Sequence, residues 1–239
     1  MTFQQPTDQF ADEQSEAGSA ITQFAEDVAG SLMTPSQTLR EVGERGAIVP
    51  AVLLVMLIVL VTMAGQMVVT LLELFQVPGF RSPVSPMIAG PTAAVQVTSM
   101  LWNLIWVPVF WTIIAGILYL IARALGGNGQ FGSLWAATGF ALTPQLLIAP
   151  FTSVSELMGV VGGAAQFFGW LVVFPLTVAG FIWTLVLYAI AIRETMALST
   201  GQAIGTLAIL LGVLLGFGIL LICVFVVFIV GIIGAIAAA

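Results

Sequence analysis

Residues 127–151 read GNGQFGSLWAATGFALTPQLLIAPF. The stretch is apolar enough to enter a membrane but too interrupted to be a plain spanning helix. Pro144 lacks a backbone donor and its ring clashes with the carbonyl of Phe140; Pro150 does the same to Leu146. Gly139 loosens the turn before them, and Gln145 puts an amide among leucines. Backbone groups freed in hydrocarbon are costly, so neighbouring protein must satisfy them. The stretch therefore predicts a broken helix with other helices around it.

The rest of the chain can supply those helices. Of its 239 residues, 60% are hydrophobic and 7% charged, and the mean hydropathy is +1.14. A soluble domain carries about 25% charged residues. The expected fold class is all-α: a polytopic integral membrane protein with five transmembrane helices, the third broken by Pro144 and Pro150. Apolar runs place the spans at about 48–69, 98–122, 131–153 and 167–192, with Pro175 kinking the fourth, and within 204–239. That last run would be ~54 Å long as a helix, against a hydrocarbon core of ~30 Å. Either one long helix tilts and projects, or it breaks near Gly231 and Gly234.

Three regions precede or compose this bundle. Residues 1–17 are polar and acidic and read as a disordered tail. Residues 18–46 read as short amphipathic interfacial helices. In the first, Ile21, Phe24, Val28 and Leu32 recur at helical spacing. In the second, Thr34 at the N-cap, Pro35 at N1 and Gln37 at N3 predict a capping box, with Leu39 and Val42 on one face. These helices lie on the membrane surface or pack on the bundle. Residues 47–239 form the transmembrane domain. No basic, apolar leader opens the chain, so the first span is expected to act as its own insertion signal.

The charges give a topology. There are five arginines, with no lysine and no histidine. With the N-terminus cytoplasmic and five spans, Arg40, Arg45, Arg123 and Arg193 fall inside and only Arg81 outside, as the positive-inside rule demands. The C-terminus is then outside a cell membrane, and the proline-rich loop from about Gln76 to Val97 is external. Trp102 and Trp106 sit near the outer interface and Trp135 near the inner one.

Reactive groups are scarce. From Ala47 onward there is no Asp, Lys or His, so a nucleophile has no base beside it. No residues cluster as metal ligands and no phosphate-binding loop is present. The expectations are no catalytic residue, no cofactor and no metal, hence no enzyme. Nucleic acid is excluded as a partner, because no basic patch exists to neutralise phosphates. The one cysteine, Cys223, lies in an apolar run and reads as a small hydrophobe. Gln66, Asn103, Thr143 and Gln145 can reach a bundle interior, as can Thr112 and Thr138. Glu73 and Asn103 fall near one outer level. These polar residues either line a cavity, as in transporters with discontinuous helices, or join helices by hydrogen bonds worth roughly 0.6 kcal/mol each. Gly212 and Gly216 form a close-packing face for the bundle or for a second copy.

Three pieces of the chain resemble a known family: SLMTPSQTLREVGERG at 31–46, GGNGQFGSLWAATGFALTPQLL at 126–147, and FIWTLVLYAIAIRETMALSTGQAIGTLAI at 181–209. The second carries Gly139, Phe140 and Pro144, similar to the Gly-Tyr-x-x-x-Pro element of the Yip family, the Ypt/Rab-interacting five-span membrane proteins. The eukaryotic Asp-Leu-Tyr-Gly-Pro element is missing and Phe stands for Tyr, which resembles a prokaryotic-type member. The resemblance implies a non-enzymatic scaffold that organises membrane or recruits partners. Its partners would be the lipid bilayer, a cytosolic protein and, in a homo-oligomer, a second copy. In the eukaryotic branch the cytosolic partners are Rab-type GTPases and vesicle coats. The alternative is a small-molecule or ion permease, or the membrane subunit of one, with the broken third span at its binding site.

Overall fold

The computed structural model describes residues 6–75, 92–161 and 163–238, which form eight α-helices. They are α1 (Pro6–Met33), α2 (Pro35–Arg45), α3 (Ile48–Leu74), α4 (Thr92–Ala124), α5 (Phe131–Phe140), α6 (Thr143–Val161), α7 (Gly163–Met196) and α8 (Thr200–Ala238). Five units are long and apolar enough to cross a membrane: α3, α4, α5 with α6, α7 and α8. The fold is thus an all-α, five-span membrane bundle, as expected. Arg81 and most of the loop from Gln76 to Val97 lie outside the described residues; its last part belongs to α4, which begins at Thr92.

The broken span is central. Of its apolar window 61% is buried, against 22% or less in the other four. It packs against α3, α4 and α7 and also meets α1 and α2. The break falls at Ala141 and Leu142, ahead of Pro144, not at the prolines themselves. Pro144 stands in the first turn of α6, where its missing N–H leaves no gap in the hydrogen bonds of α6 itself. Pro150 lies inside α6 without ending it, correcting the expected second break. Hydroxyls crowd the turn after it: Thr152 and Ser153 both donate to the Ala149 carbonyl, at 2.8 and 3.0 Å. Pro108 and Pro175 are likewise interior to α4 and α7.

The leading helices pack on the bundle. Leu39 and Val42 of α2 are fully buried in the common core, and Phe24 and Val28 of α1 pack against it. Ile21, expected on that face, is exposed. Helix α1 begins at Pro6, earlier than the boundary at Gly18, and is not short. The predicted capping box is absent: Thr34 makes no side-chain cap, and Gln37 donates to Glu41 at 2.9 Å. The reason is that α1 runs straight into α2. The Thr34 amide, which Gln37 would have accepted, already donates to the Gly30 carbonyl at 2.8 Å. Gly46 closes α2 in the left-handed region (φ 59°), and the Ala47 amide returns to Val42 O at 3.1 Å. A residue without Cβ adopts that conformation freely.

Helix α8 is one continuous helix, with no break near Gly231 or Gly234. Ala203, Thr206, Leu207 and Leu210 are buried, whereas Gly212 through Val230 face outward almost without exception. Among the described side chains of α8, the buried ones all belong to its first turns.

Candidate functional site

The site builds outward from the break. Because Pro144 cannot donate to Phe140, that carbonyl needs another donor. The Thr143 hydroxyl supplies it at 2.6 Å. Thr143 Oγ1 in turn accepts from Ser31 Oγ of α1 at 2.9 Å. Both side chains are fully buried. A chain of hydroxyls thus joins the first helix to the fractured one, and such chains strengthen their members in a low dielectric. The Phe140 ring, also fully buried, meets Phe24 with centroids 6.3 Å apart.

Gly139 permits a close approach rather than a loose turn. A methyl group there would lie 2.8 Å from Ala51 Cβ and 2.9 Å from Trp111 Cζ2. Trp111 stacks on Trp135 at 4.8 Å and donates its indole N–H to Thr138 Oγ1 at 3.2 Å. Trp135 is held in an aromatic stack with Trp111 and Phe131, and among the described residues its buried Nε1 has no partner. Gln145 donates to Thr184 of α7 at 3.1 Å. Gln66 on α3 and Asn103 on α4 are half-buried. Among the described residues, no hydrogen bond joins their side chains to Thr143 or Gln145. The side chain of Glu73 lies outside those described. Trp102, Trp106 and Phe110 form a ladder along α4, with centroids 5.0 and 5.7 Å apart.

A second construction caps one end of the bundle. Helix α2, the loop 125–130 and the turn 197–199 meet there. A methyl at Gly43 would come within 2.7 Å of Thr195 Cγ2, and one at Gly129 would overlap the Thr195 carbonyl oxygen. The Asn128 amide donates to Met196 O at 3.1 Å, and Gln202 Nε2 to Leu125 O at 3.0 Å. The turn itself is tight: Ala197 takes a positive φ of 52°.

The four arginines expected on one side divide by role. Arg45 grips both carboxylate oxygens of the buried Asp27 through one nitrogen, at 2.8 Å each, tying α2 to α1. Arg193 pairs with its neighbour Glu194, Nε to Oε1 3.1 Å. Arg123 donates to Gly127 O at 3.2 Å and lies 5.9 Å from the Tyr119 ring centroid. Arg40 is the most open, 3.7 Å from Glu44 with both side chains mostly exposed. With Ser36, Gln37, Glu41 and Glu44 it forms the outward face of α2.

Sequence reasoning missed Ser31 and Asp27. A signal existed for Ser31: it stands seven residues after Phe24 and three after Val28, on their face. Nothing local marked Asp27, whose partner is eighteen residues away on another helix.

Fold and site together define a multi-pass α-helical membrane protein whose core is a proline-fractured span and whose one end is sealed by packed helices and glycine loops. A family model described as Yip1 domain matches residues 29–222. The chain belongs to the Yip1 domain family, and the resemblance drawn from Gly139, Phe140 and Pro144 is borne out at the level of family. No curated protein and no solved structure matches the chain.

Proposed function

We propose that this protein is a non-enzymatic membrane scaffold whose capped end lies in the cytoplasm of a cell membrane and recruits a protein partner there. The observation that carries the reading is the state of α2. Its apolar face is spent on the core, through Leu39 and Val42, so it is not free to lie in lipid. Its other face presents Arg40, Glu41 and Glu44 on a rigid support. Side chains placed outward from a fixed element lose little freedom on binding. Positive-inside bias puts this end in the cytoplasm and the C-terminus outside.

The polar residues around the break at Ala141 and Leu142 favour the same reading over a permease with its site at the break. Ser31, Thr143, Thr138, Gln145 and Thr184 bond to one another or to Trp111 and backbone, leaving few polar groups for a solute. The Gly212 and Gly216 face supports a homo-oligomer as a second level of organisation. Among the described residues, a Cβ at either would meet no atom within 4 Å beyond the backbone of α8 itself.

The test is crosslinking in intact membranes followed by purification of the full chain. Reversing charge at Arg40, Glu41 and Glu44 together should remove a stoichiometric cytosolic partner while leaving the melting temperature unchanged. The reading fails if no partner is captured by the unaltered protein and Gln145→Leu abolishes uptake of a solute with the fold intact.

A further inference from the structure

The end of the bundle opposite the cap holds a cavity that the scaffold reading does not use. Helices α6 and α7 run antiparallel and pack closely along their length, and two of their contacts are made at glycines. At Gly169 an added methyl would lie 3.2 Å from Met158 Cβ and 3.3 Å from Ser155 Oγ; at Gly180 it would overlap Ile148 Cδ1. Between these two glycine contacts the outer surface of the helix pair holds a half-open cavity of about 380 Å³. That volume lies within the range of small-molecule sites, roughly 300–1,000 Å³.

Its lining has a definite chemistry. Glu156 contributes a carboxylate, Thr152, Ser155 and Thr177 contribute hydroxyls, and Trp170 and Phe174 contribute aromatic surface. The two rings stack at 6.4 Å with an interplanar angle of 23°. Thr152 and Thr177 spend their protons on the carbonyls of Ala149 and Val173, so their oxygens are left to accept. Among the described residues, no donor meets the Glu156 carboxylate. Of the five arginines, Arg40, Arg45, Arg123 and Arg193 stand at the capped end, and Arg81 lies outside the described residues. Glu156 is exposed near the end of the third span, and an ionisable group at the edge of hydrocarbon calls for a partner. Here anion, acceptors and π-faces converge, a combination that suits an organic cation. Trp170 and Phe174 are also largely exposed on the outside of the bundle, so the cavity opens sideways to lipid.

We infer that this cavity binds an amphiphilic ammonium, with its nitrogen on Glu156 and against Trp170 and Phe174 and its apolar part along α7 toward Thr177. The ammonium is that of an aminophospholipid headgroup or of a free lipophilic amine entering from the bilayer. The recognising chemistry is the same for both.

The test uses the full chain in nanodiscs of phosphatidylglycerol, with hexylammonium, an amphiphilic primary ammonium, as probe, empty nanodiscs as the blank and equilibrium dialysis as readout. Saturable binding is expected. Glu156→Gln should weaken it at least about tenfold, the loss of one charge-assisted contact. Trp170→Leu should weaken it severalfold, and Glu156→Asp should largely retain it. Melting temperatures of the variants separate lost binding from lost fold; should Glu156→Gln not fold, the contrast between Glu156→Asp and Trp170→Leu decides. Adding phosphatidylethanolamine then assigns the source: displacement of the probe identifies the headgroup, and undiminished binding identifies a free amine. Absence of saturable binding, or equal affinity in Glu156→Gln, overturns the inference. Neither result bears on the charge-reversal experiment at α2.

Discussion

Thr143 is the residue on which the broken span depends. Its hydroxyl serves the carbonyl that Pro144 abandons and accepts from Ser31 in the same buried spot. Thr143→Val keeps the shape and removes both bonds; Ser31 still reaches the Val28 carbonyl at 2.8 Å, but the Phe140 carbonyl is left without its donor. We expect a loss of about 1–3 kcal/mol, read as a lower melting temperature in detergent. Gln145→Leu is the contrast. It removes one half-buried interhelical bond, to Thr184, and should cost roughly 0.6 kcal/mol. Equal losses in the two variants would sink the account of the break. Gly139→Ala should cost about 1–3 kcal/mol by overpacking, since Ala51 and Trp111 already occupy the space. How far such detail was legible can be judged here. Pro144 announced a lost donor and the need for neighbouring protein, and both are found. The donor's chain could not be named, because Ser31 lies 112 residues from Thr143 and only the folded bundle brings them together.

At the scale of elements, spans were easy to read and their joints were not. A run of apolar residues long enough to cross hydrocarbon is a composition, visible in any window. Where a helix stops depends on which donors are already taken. Pro150 was expected to break α6 and does not; a proline sequence alone cannot say whether packing will hold a helix through the gap. The leading helices followed the same logic. Leu39 and Val42 marked an apolar face, and that face alone left lipid and bundle equally open as its partner. Glycines decided the joints. Gly43 and Gly129 let α2 and the loop 125–130 press against the end of α7. Gly129→Ala forces a methyl into the Thr195 carbonyl and should detach the loop. The expected result is faster amide exchange at Asn128, whose N–H bonds Met196 O, with protection at Leu118 unchanged. Uniform loss of protection would mean that the loop is not a separate joint.

For the whole molecule, the bonds among α2, the loop 125–130 and the turn 197–199 put these three segments at one end. The proposed topology then has a direct check. In a Cys223→Ala background, Gln130→Cys and Ser199→Cys should resist a membrane-impermeant thiol reagent in intact cells and react after permeabilisation. Labelling of either in intact cells would reverse the orientation. The charge pattern made this end predictable as a group of segments, since Arg40, Arg45, Arg123 and Arg193 all fall there. It did not foretell that Arg45 and Arg193 are engaged within the cap while Arg40 stays open.

The anchoring of α8 by its first turns carries a mechanical consequence. Drawn out by its C-terminus under a force probe, the chain should yield in two stages. From Val230 back to about Gly212 the pull meets no buried side chain. At Leu210, Leu207, Thr206 and Ala203 it meets protein for the first time, and there the tether should stiffen abruptly, one side of the bilayer behaving as a root and the other as a free stem.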